Sequence, residues 1–290
     1  MSGPDAAATA AERAWAERVR ASAAQVERVR EVPDGADFYA PVSRLFVVDP
    51  DRTDDPVLDA LLRHARPDEA WLDVGSGAGR FGLPIARRVR EVIAVDSSPR
   101  MLAALREGMA EHGIPNVRPI EARWPAVVRE APDLVADVAL IAHVGYDIEQ
   151  IGPFLDALEA ATRRLCIAVL METQPASFAD QFWPIVHGES RTPLPALPEF
   201  VALLRARGAE PAVEVAERTA RRFREPAELE AGLRRQLWIA DGSAKERRFE
   251  VALADLIRRN SDGSVGLSGQ QPLGVGVVTW RPRGPTSSTS

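Results

Sequence analysis

The chain is poor in cysteine and lysine: Cys166 and Lys245 are the sole examples of each. One cysteine excludes an internal disulfide. Cys166 lies in the apolar run 165–170 with no base beside it, so it reads as a small buried hydrophobe. No apolar run reaches the length of about eighteen residues that a spanning helix needs. The opening residues also lack the basic-then-apolar pattern of an export signal, and the expected location is therefore cytoplasmic. Acidic residues (42) outnumber basic ones (36), for a net charge of −6. That balance works against sequence-independent attraction to phosphate, so neither nucleic acid nor membrane is an expected partner. Only 4 histidines occur, and no His/Cys/Asp cluster shows ligand spacing, so no metal is expected. Nothing in the sequence sets the oligomeric state.

What is present is apolar material enough for a sizeable core, 46% of 290 residues, which fits one large α/β domain with additions. Over 11–30, Trp15, Val19, Ala23, Val26 and Val29 recur at helical spacing and predict an amphipathic helix. The Pro- and Asp-rich stretch 32–56, with Phe38, Tyr39 and Phe46, reads as a loop or lid. Asp54 or Asp55 then caps a helix that carries Pro56 in its first turn. Short apolar runs at 71–74, 92–95, 117–120, 135–142 and 165–170 alternate with helical patterns at 80–90, 99–112 and 151–164. Such βα alternation predicts a doubly wound, mostly parallel sheet with helices on both faces. The segment 178–207, rich in proline and holding a helix at 197–207, reads as an insertion over the mouth of the sheet. Two further strands are expected at 213–215 and 275–280, separated by helices near 226–239 and 245–258.

The strongest chemical signal is Trp71-Leu72-Asp73-Val74-Gly75-Ser76-Gly77-Ala78-Gly79-Arg80, a strand running into a glycine-rich turn. Glycine is needed where backbone must turn tightly and approach a ligand closely. About twenty residues on, Asp96 ends the next strand, where a carboxylate can accept bonds from both hydroxyls of a ribose. Together they predict a nucleoside-containing ligand. Gly77-Ala78-Gly79-Arg80-Phe81-Gly82 also satisfies the dinucleotide pattern, which keeps a nicotinamide-dependent oxidoreductase as an alternative. Its register is poor, because the glycine directly after the strand is Gly75, and Asp73 would set a negative charge beside a pyrophosphate.

The segment 72–79 resembles the first motif of the class I, Rossmann-like S-adenosylmethionine-dependent methyltransferases, and Val95-Asp96-Ser97-Ser98-Pro99-Arg100-Met101-Leu102 is similar to their second. The resemblance, which covers 70–173, implies a seven-stranded sheet and S-adenosylmethionine as cofactor. It implies that Asp73, Gly75, Ser76, Gly77 and Gly79 hold the methionine end, that Asp96 holds the ribose, and that Ser97 and Met101 flank the adenine. Glu121-Ala122 matches the third element, with Glu121 as acceptor for the adenine amino group. The fourth, at the end of the fourth strand, corresponds to Ile141-Ala142-His143-Val144-Gly145-Tyr146. The implied layout is an N-terminal helix and lid over 1–56, a methyltransferase domain over 57–283 with an insertion at about 175–207 above the active site, and a disordered tail over 284–290.

A sulfonium already activates its methyl group, so the protein has mainly to hold an acceptor in line and exclude water. His143 is the candidate base, facing the methyl position in this architecture; a packing role against the cofactor stands beside that reading. Tyr146 is a candidate to orient the acceptor, and Tyr39, Trp183 and His187 are candidates to line its pocket; packing of a lid by Trp183 is the alternative. The end of strand four lacks the Asn/Asp-Pro-Pro-aromatic motif of enzymes resembling DNA amino-methylases, and no paired cysteines support a cysteine-nucleophile RNA mechanism. The expected reaction is O- or N-methylation of a small-molecule acceptor. Methylation of protein or RNA, along a groove lined by Arg221, Arg222, Arg234 and Arg235, is the alternative.

Overall fold

The computed structural model describes residues 4–33, 47–131, 134–218, 222–270 and 272–283. Seven strands form the central sheet: β1 (Ala70–Val74), β2 (Glu91–Asp96), β3 (Val117–Glu121), β4 (Ala136–Ala142), β5 (Thr162–Met171), β6 (Ala212–Arg218) and β9 (Leu273–Trp280). Their order is β3-β2-β1-β4-β5-β9-β6. The first five run parallel, and β9 lies antiparallel between β5 and β6. This is the expected doubly wound, mostly parallel sheet. Its strands read as continuous apolar runs because both faces are covered, as β1 shows with all its residues buried.

Helices α2 (Pro56–Leu62), α3 (Gly82–Ala86) and α4 (Pro99–Glu111) lie on one side, where Leu61, Leu83, Ile85, Leu102 and Leu105 pack with Trp71, Val92 and Leu140. Asp55 is the N-cap of α2, its carboxylate accepting from the N–H groups of Val57 and Leu58 at 3.2 Å each. Helix α3 is shorter than the pattern over 80–90 predicts. Arg88 N–H bonds the Ile85 carbonyl three residues back, tightening the helix end before β2 begins.

The other face carries α1 (Pro4–Val29), the short α5 (Val127–Glu130), α6 (Ile151–Ala160) and, further along the chain, α8 (Leu197–Ala206). In α1 the buried stripe begins with Trp15 and Val19 as expected but continues through Ser22 and Gln25, while Ala23 is exposed. The polar residues are buried because Gln25 binds another segment: it donates to the Ser190 carbonyl (2.8 Å) and accepts from Thr192 N–H (2.6 Å). Trp15 sits edge-on to Phe200 of α8, and its indole N–H reaches the Ile148 carbonyl.

A third core lies outside the sheet. It joins a 3₁₀ segment (Pro175–Phe182) and α7 (Trp183–His187) to α9 (Pro226–Leu237), α10 (Ala244–Leu256) and a ribbon of β7 (Ile257–Arg259) and β8 (Val265–Leu267). The insertion expected at 178–207 therefore divides: its first part builds this unit, and α8 returns to the sheet. The ribbon was not expected, since strands of three residues carry no periodic signal.

Buried Glu159 of α6 accepts from the Trp280 indole N–H (2.9 Å) and from Arg283 Nε (2.6 Å), tying α6 to the end of β9. We expect Glu159→Ala to leave the Trp280 N–H buried without a partner and to cost about 2–3 kcal/mol. Urea unfolding would register this as a lower midpoint with an unchanged m-value.

Candidate functional site

The strand order reverses between β1 and β4, and their carboxyl ends are level, with Val74 beside both Val95 and Ile141. Ligands of open α/β sheets bind in the crevice at such a switch point. The chain leaves β1 through Gly75, Gly77 and Gly79, at φ of +73°, +55° and +83°. Gly75 and Ser76 N–H both bond the Val95 carbonyl, and Gly77 N–H donates to Asp96 Oδ2 at 2.8 Å. A Cβ on Gly75 would stand 2.4 Å from Val144 Cγ2, and one on Gly79 2.5 Å from Leu105. At Gly77 nothing lies within 4 Å, so the space above that residue is open.

Asp96 holds a second backbone donor, Ser98 N–H at 2.8 Å. Ser98 caps α4 by accepting from Met101 N–H. Ser97 is exposed and Met101 buried in the first turn of α4. Glu121 lies opposite Asp96 in the register of β2 and β3, is exposed, and precedes Ala122, whose N–H bonds the Asp96 carbonyl. Two carboxylates thus end adjacent strands beside the glycine turn. Trp124, near them, packs edge-on to Phe154.

Asp73 is 3% exposed and forms no ion pair among the described residues. Burial, with the nearby Asp96 charge adding to it, pushes its carboxyl up to about 7. Ser76 Oγ is also buried and lacks a hydrogen-bond partner among the described residues. An unpaired buried carboxyl and an orphaned hydroxyl at a glycine turn mark a place where a polar ligand completes the bonding.

His143 follows β4 at φ +58°, left-handed for a non-glycine residue, its N–H held by the Val169 carbonyl at 2.8 Å. The structure thus brings His143 to the level of the glycine turn. Tyr146 is placed differently. It is 5% exposed, its Oη accepts Met171 N–H at 2.7 Å, and burial raises its ionisation. This corrects the expectation of a catalytic or acceptor-orienting tyrosine: the phenol braces the loop after β4 against the end of β5.

Trp183 is fully buried in the third core, which assigns it to packing and not to a pocket wall. The His187 ring packs against it at a tilt of 58°, with centroids 4.7 Å apart. Burial, then the Lys245 charge, lowers the imidazole to about 4, leaving it neutral. Tyr39 lies outside the described residues. The sequence pattern assigns a role to neither Gln174, just past β5 and 2% exposed, nor Arg191, whose guanidinium sits over Trp183 and Trp238. Gln174 Nε2, Arg191 Nε and Trp183 Nε1 are buried donors without partners among the described residues. The available signal for Gln174 was its place: a polar residue just beyond an apolar strand. On the surface, Asp49, Asp51 and His112 bring three potential ligand atoms within 4.8 Å of one another, but Arg87 already pairs with Asp51 at 2.7 Å.

Residues 72–164 match a family model described as a methyltransferase domain. The chain is 31% identical over 109 residues to the probable cobalt-precorrin-6B C(15)-methyltransferase (decarboxylating) of Methanothermobacter thermautotrophicus, covering 37% of this chain and 56% of that protein. It is 40% identical over 57 residues to the 23S rRNA (uracil(1939)-C(5))-methyltransferase RlmD of Xanthomonas campestris, covering 20% of this chain and 13% of that one. The chain therefore spans about half of the first relative's length (56%) and far less of the second's. An S-adenosylmethionine-dependent methyltransferase from Thiobacillus denitrificans, solved in complex with S-adenosyl-L-homocysteine, superposes with a TM-score of 0.51 at 17% identity, covering 87% of this chain and 99% of that one. At that identity the likeness is one of fold.

Two of the turn glycines differ in a way that stability measurements resolve. Gly75→Ala forces Val144 to move and is expected to cost several kcal/mol, about 1–2 for the backbone and the rest for the clash. Gly77→Ala meets no neighbour and is expected to cost only the backbone share, about 1–2 kcal/mol, in chemical denaturation.

Proposed function

We propose that this chain, which carries a Rossmann-like methyltransferase domain, uses S-adenosylmethionine to methylate an oxygen or nitrogen atom of a small-molecule acceptor. One observation carries the reading: the open glycine turn after β1 is bonded to Asp96 at the end of β2, with the unpaired carboxyl of Asp73 beneath it. The residues fit the cofactor. Asp96 suits ribose hydroxyls, Asp73 and Ser76 suit the ammonium and carboxylate of a methionine end, and Glu121 suits an adenine amino group. When bound, the cofactor supplies a methyl group on a sulfonium, ready for in-line displacement. The chain's own task is to hold the acceptor, exclude water and, for an acceptor that keeps its proton, remove that proton at the His143 imidazole.

The appended third core and the buried donors on Gln174 and Arg191 favour a compact, oxygen-bearing acceptor. Two arginines of the alternative macromolecular groove already hold acidic partners. Arg234 is paired with Glu230 and Glu246, and Arg222 with Asp262; Arg221 lies outside the described residues. In this reading 57–283 is the catalytic domain and includes the third core, α1 packs against it, and the expected setting is the cytoplasm; no helix among the described residues is long and apolar enough to cross a membrane.

Calorimetry with S-adenosylmethionine tests the cofactor site: Asp96→Ala and Gly77→Val should each abolish binding while the variants remain folded. Normal binding by both variants would place the site elsewhere.

The titration of Asp73 gives a pH test. Its carboxyl is raised to about 7 in the folded protein from the ordinary 3.8. Between those values the native state holds the extra proton, so its stability falls as pH rises through the window and levels off above about 7. A cationic ligand favours the ionised form, so affinity for S-adenosylmethionine should rise by up to about tenfold per pH unit below the native value. Asp73→Asn should flatten both profiles.

His143→Gly relieves the left-handed backbone and should raise stability by about 1–2 kcal/mol. With a base role for the imidazole, kcat falls about 100-fold. Unchanged turnover in the stabilised variant would assign His143 to the backbone alone.

A further inference from the structure

A cavity of about 550 Å³ opens at the end of the sheet opposite the glycine turn, lined by His64, Arg66, Arg163, Arg164, Leu165, Arg281 and Pro282. Its position follows from the topology. Arg163 and Arg164 open β5, and Arg281 follows β9, which pairs antiparallel with β5 at Cys166 and Trp280. His64 and Arg66 follow α2. The methyl-transfer site lies at the carboxyl ends of β5 and its parallel neighbours, a ten-residue strand away or roughly 30 Å.

No carboxylate lines the cavity. The nearest acids only partly offset its charge. Glu69 holds Arg164 through a pair of hydrogen bonds, one of them 2.6 Å, and lies 3.7 Å from Arg66. Asp137 is 3.5 Å from Arg163 and gives its other oxygen to Ala70 N–H. Arg281 has no acidic partner among the described residues. Four guanidinium groups therefore face Glu69 and Asp137, with Glu214 near His64, in a protein whose total charge is −6. Like charges gathered around one concavity repel each other unless an anion joins them. The planar fork of arginine pairs with phosphate through two parallel bonds, which a lysine cannot do. The lining holds no Phe, Tyr or Trp, so it offers no stacking platform for a nucleobase.

We propose that this cavity binds a compact phosphate-bearing anion, an oligophosphate or a phosphorylated head group, at a second site remote from methyl transfer. Its volume matches that of small-ligand sites, and its walls supply four guanidinium forks beside the apolar Leu165 and Pro282. Arg163 and Arg281 are the residues with which to test it, because both are exposed and neither holds the core.

The probe is sodium tripolyphosphate, titrated calorimetrically into the full chain at low salt, beside inorganic phosphate and a single-stranded oligoribonucleotide. The expected result is saturable tripolyphosphate binding, weakened about tenfold or more by Arg281→Ala and again by Arg163→Ala, with binding of S-adenosylmethionine unchanged. His64 is an independent reporter. Burial, then the charges of Arg164 and Arg63, hold its imidazole below the ordinary value against the opposing Glu214. An anion in the cavity should move its NMR titration midpoint upward. Absence of binding, binding that both variants retain, or an unmoved His64 midpoint at saturation would overturn the proposal. So would tighter binding of the oligoribonucleotide than of tripolyphosphate at equal phosphate concentration, which would mark an extended nucleic-acid surface in place of a pocket.

Discussion

One carboxylate joins the two loops on which the site is built. Asp96 receives the N–H of Gly77 from the turn after β1 and that of Ser98 from the start of α4, each at 2.8 Å. The Val95 carbonyl beside it takes two more donors from the same turn. The glycine turn is thus shaped by the neighbouring strand as much as by its own sequence, and the left-handed residues are held where they are by bonds from β2. A site whose supporting bonds are made within the protein is ready before its ligand arrives. The closeness of Val144 to Gly75 brings the end of β4 into the same arrangement, so three strand ends share one fixed geometry.

The sheet and its order of elements were legible because buried parallel strands need unbroken apolar runs, and these are visible without any knowledge of contacts. The cap at Asp55 and the turn at Gly75 to Gly79 were legible for a similar reason: each rests on local backbone chemistry. What escaped depends on partners far away in the chain. Tyr146 has the same local appearance as a site residue until Met171 is seen to occupy its hydroxyl. Gln25 breaks the apolar stripe of α1 because of Ser190 and Thr192, more than 160 positions further on. Trp183 turned inward because segments on both sides of β6 combine to bury it.

The division into three cores has a mechanical meaning. Two of them cover the faces of the sheet and are built from the alternating strands and helices that define the domain. The third is assembled from discontinuous segments, with Val29 at the end of α1 as its link to the N-terminal helix. Glu31 extends that link, with its N–H on the Trp238 carbonyl and its carboxylate accepting from Ala240 N–H. Changes in this third unit therefore reach the sheet through α1 and the strand ends, a route by which related domains can alter that unit and keep the glycine turn intact.

The placement of β9 bears on biosynthesis. This strand, last in chain order within the described sheet, occupies an interior position between β5 and β6. During translation β6 emerges with no pairing partner at all, and the apolar edge of β5 stays uncovered until residue 280 has cleared the ribosome. The nascent chain thus spends the making of α9 and α10 with an unsatisfied edge of the kind that recruits other strands, a window in which chaperone capture competes with self-association.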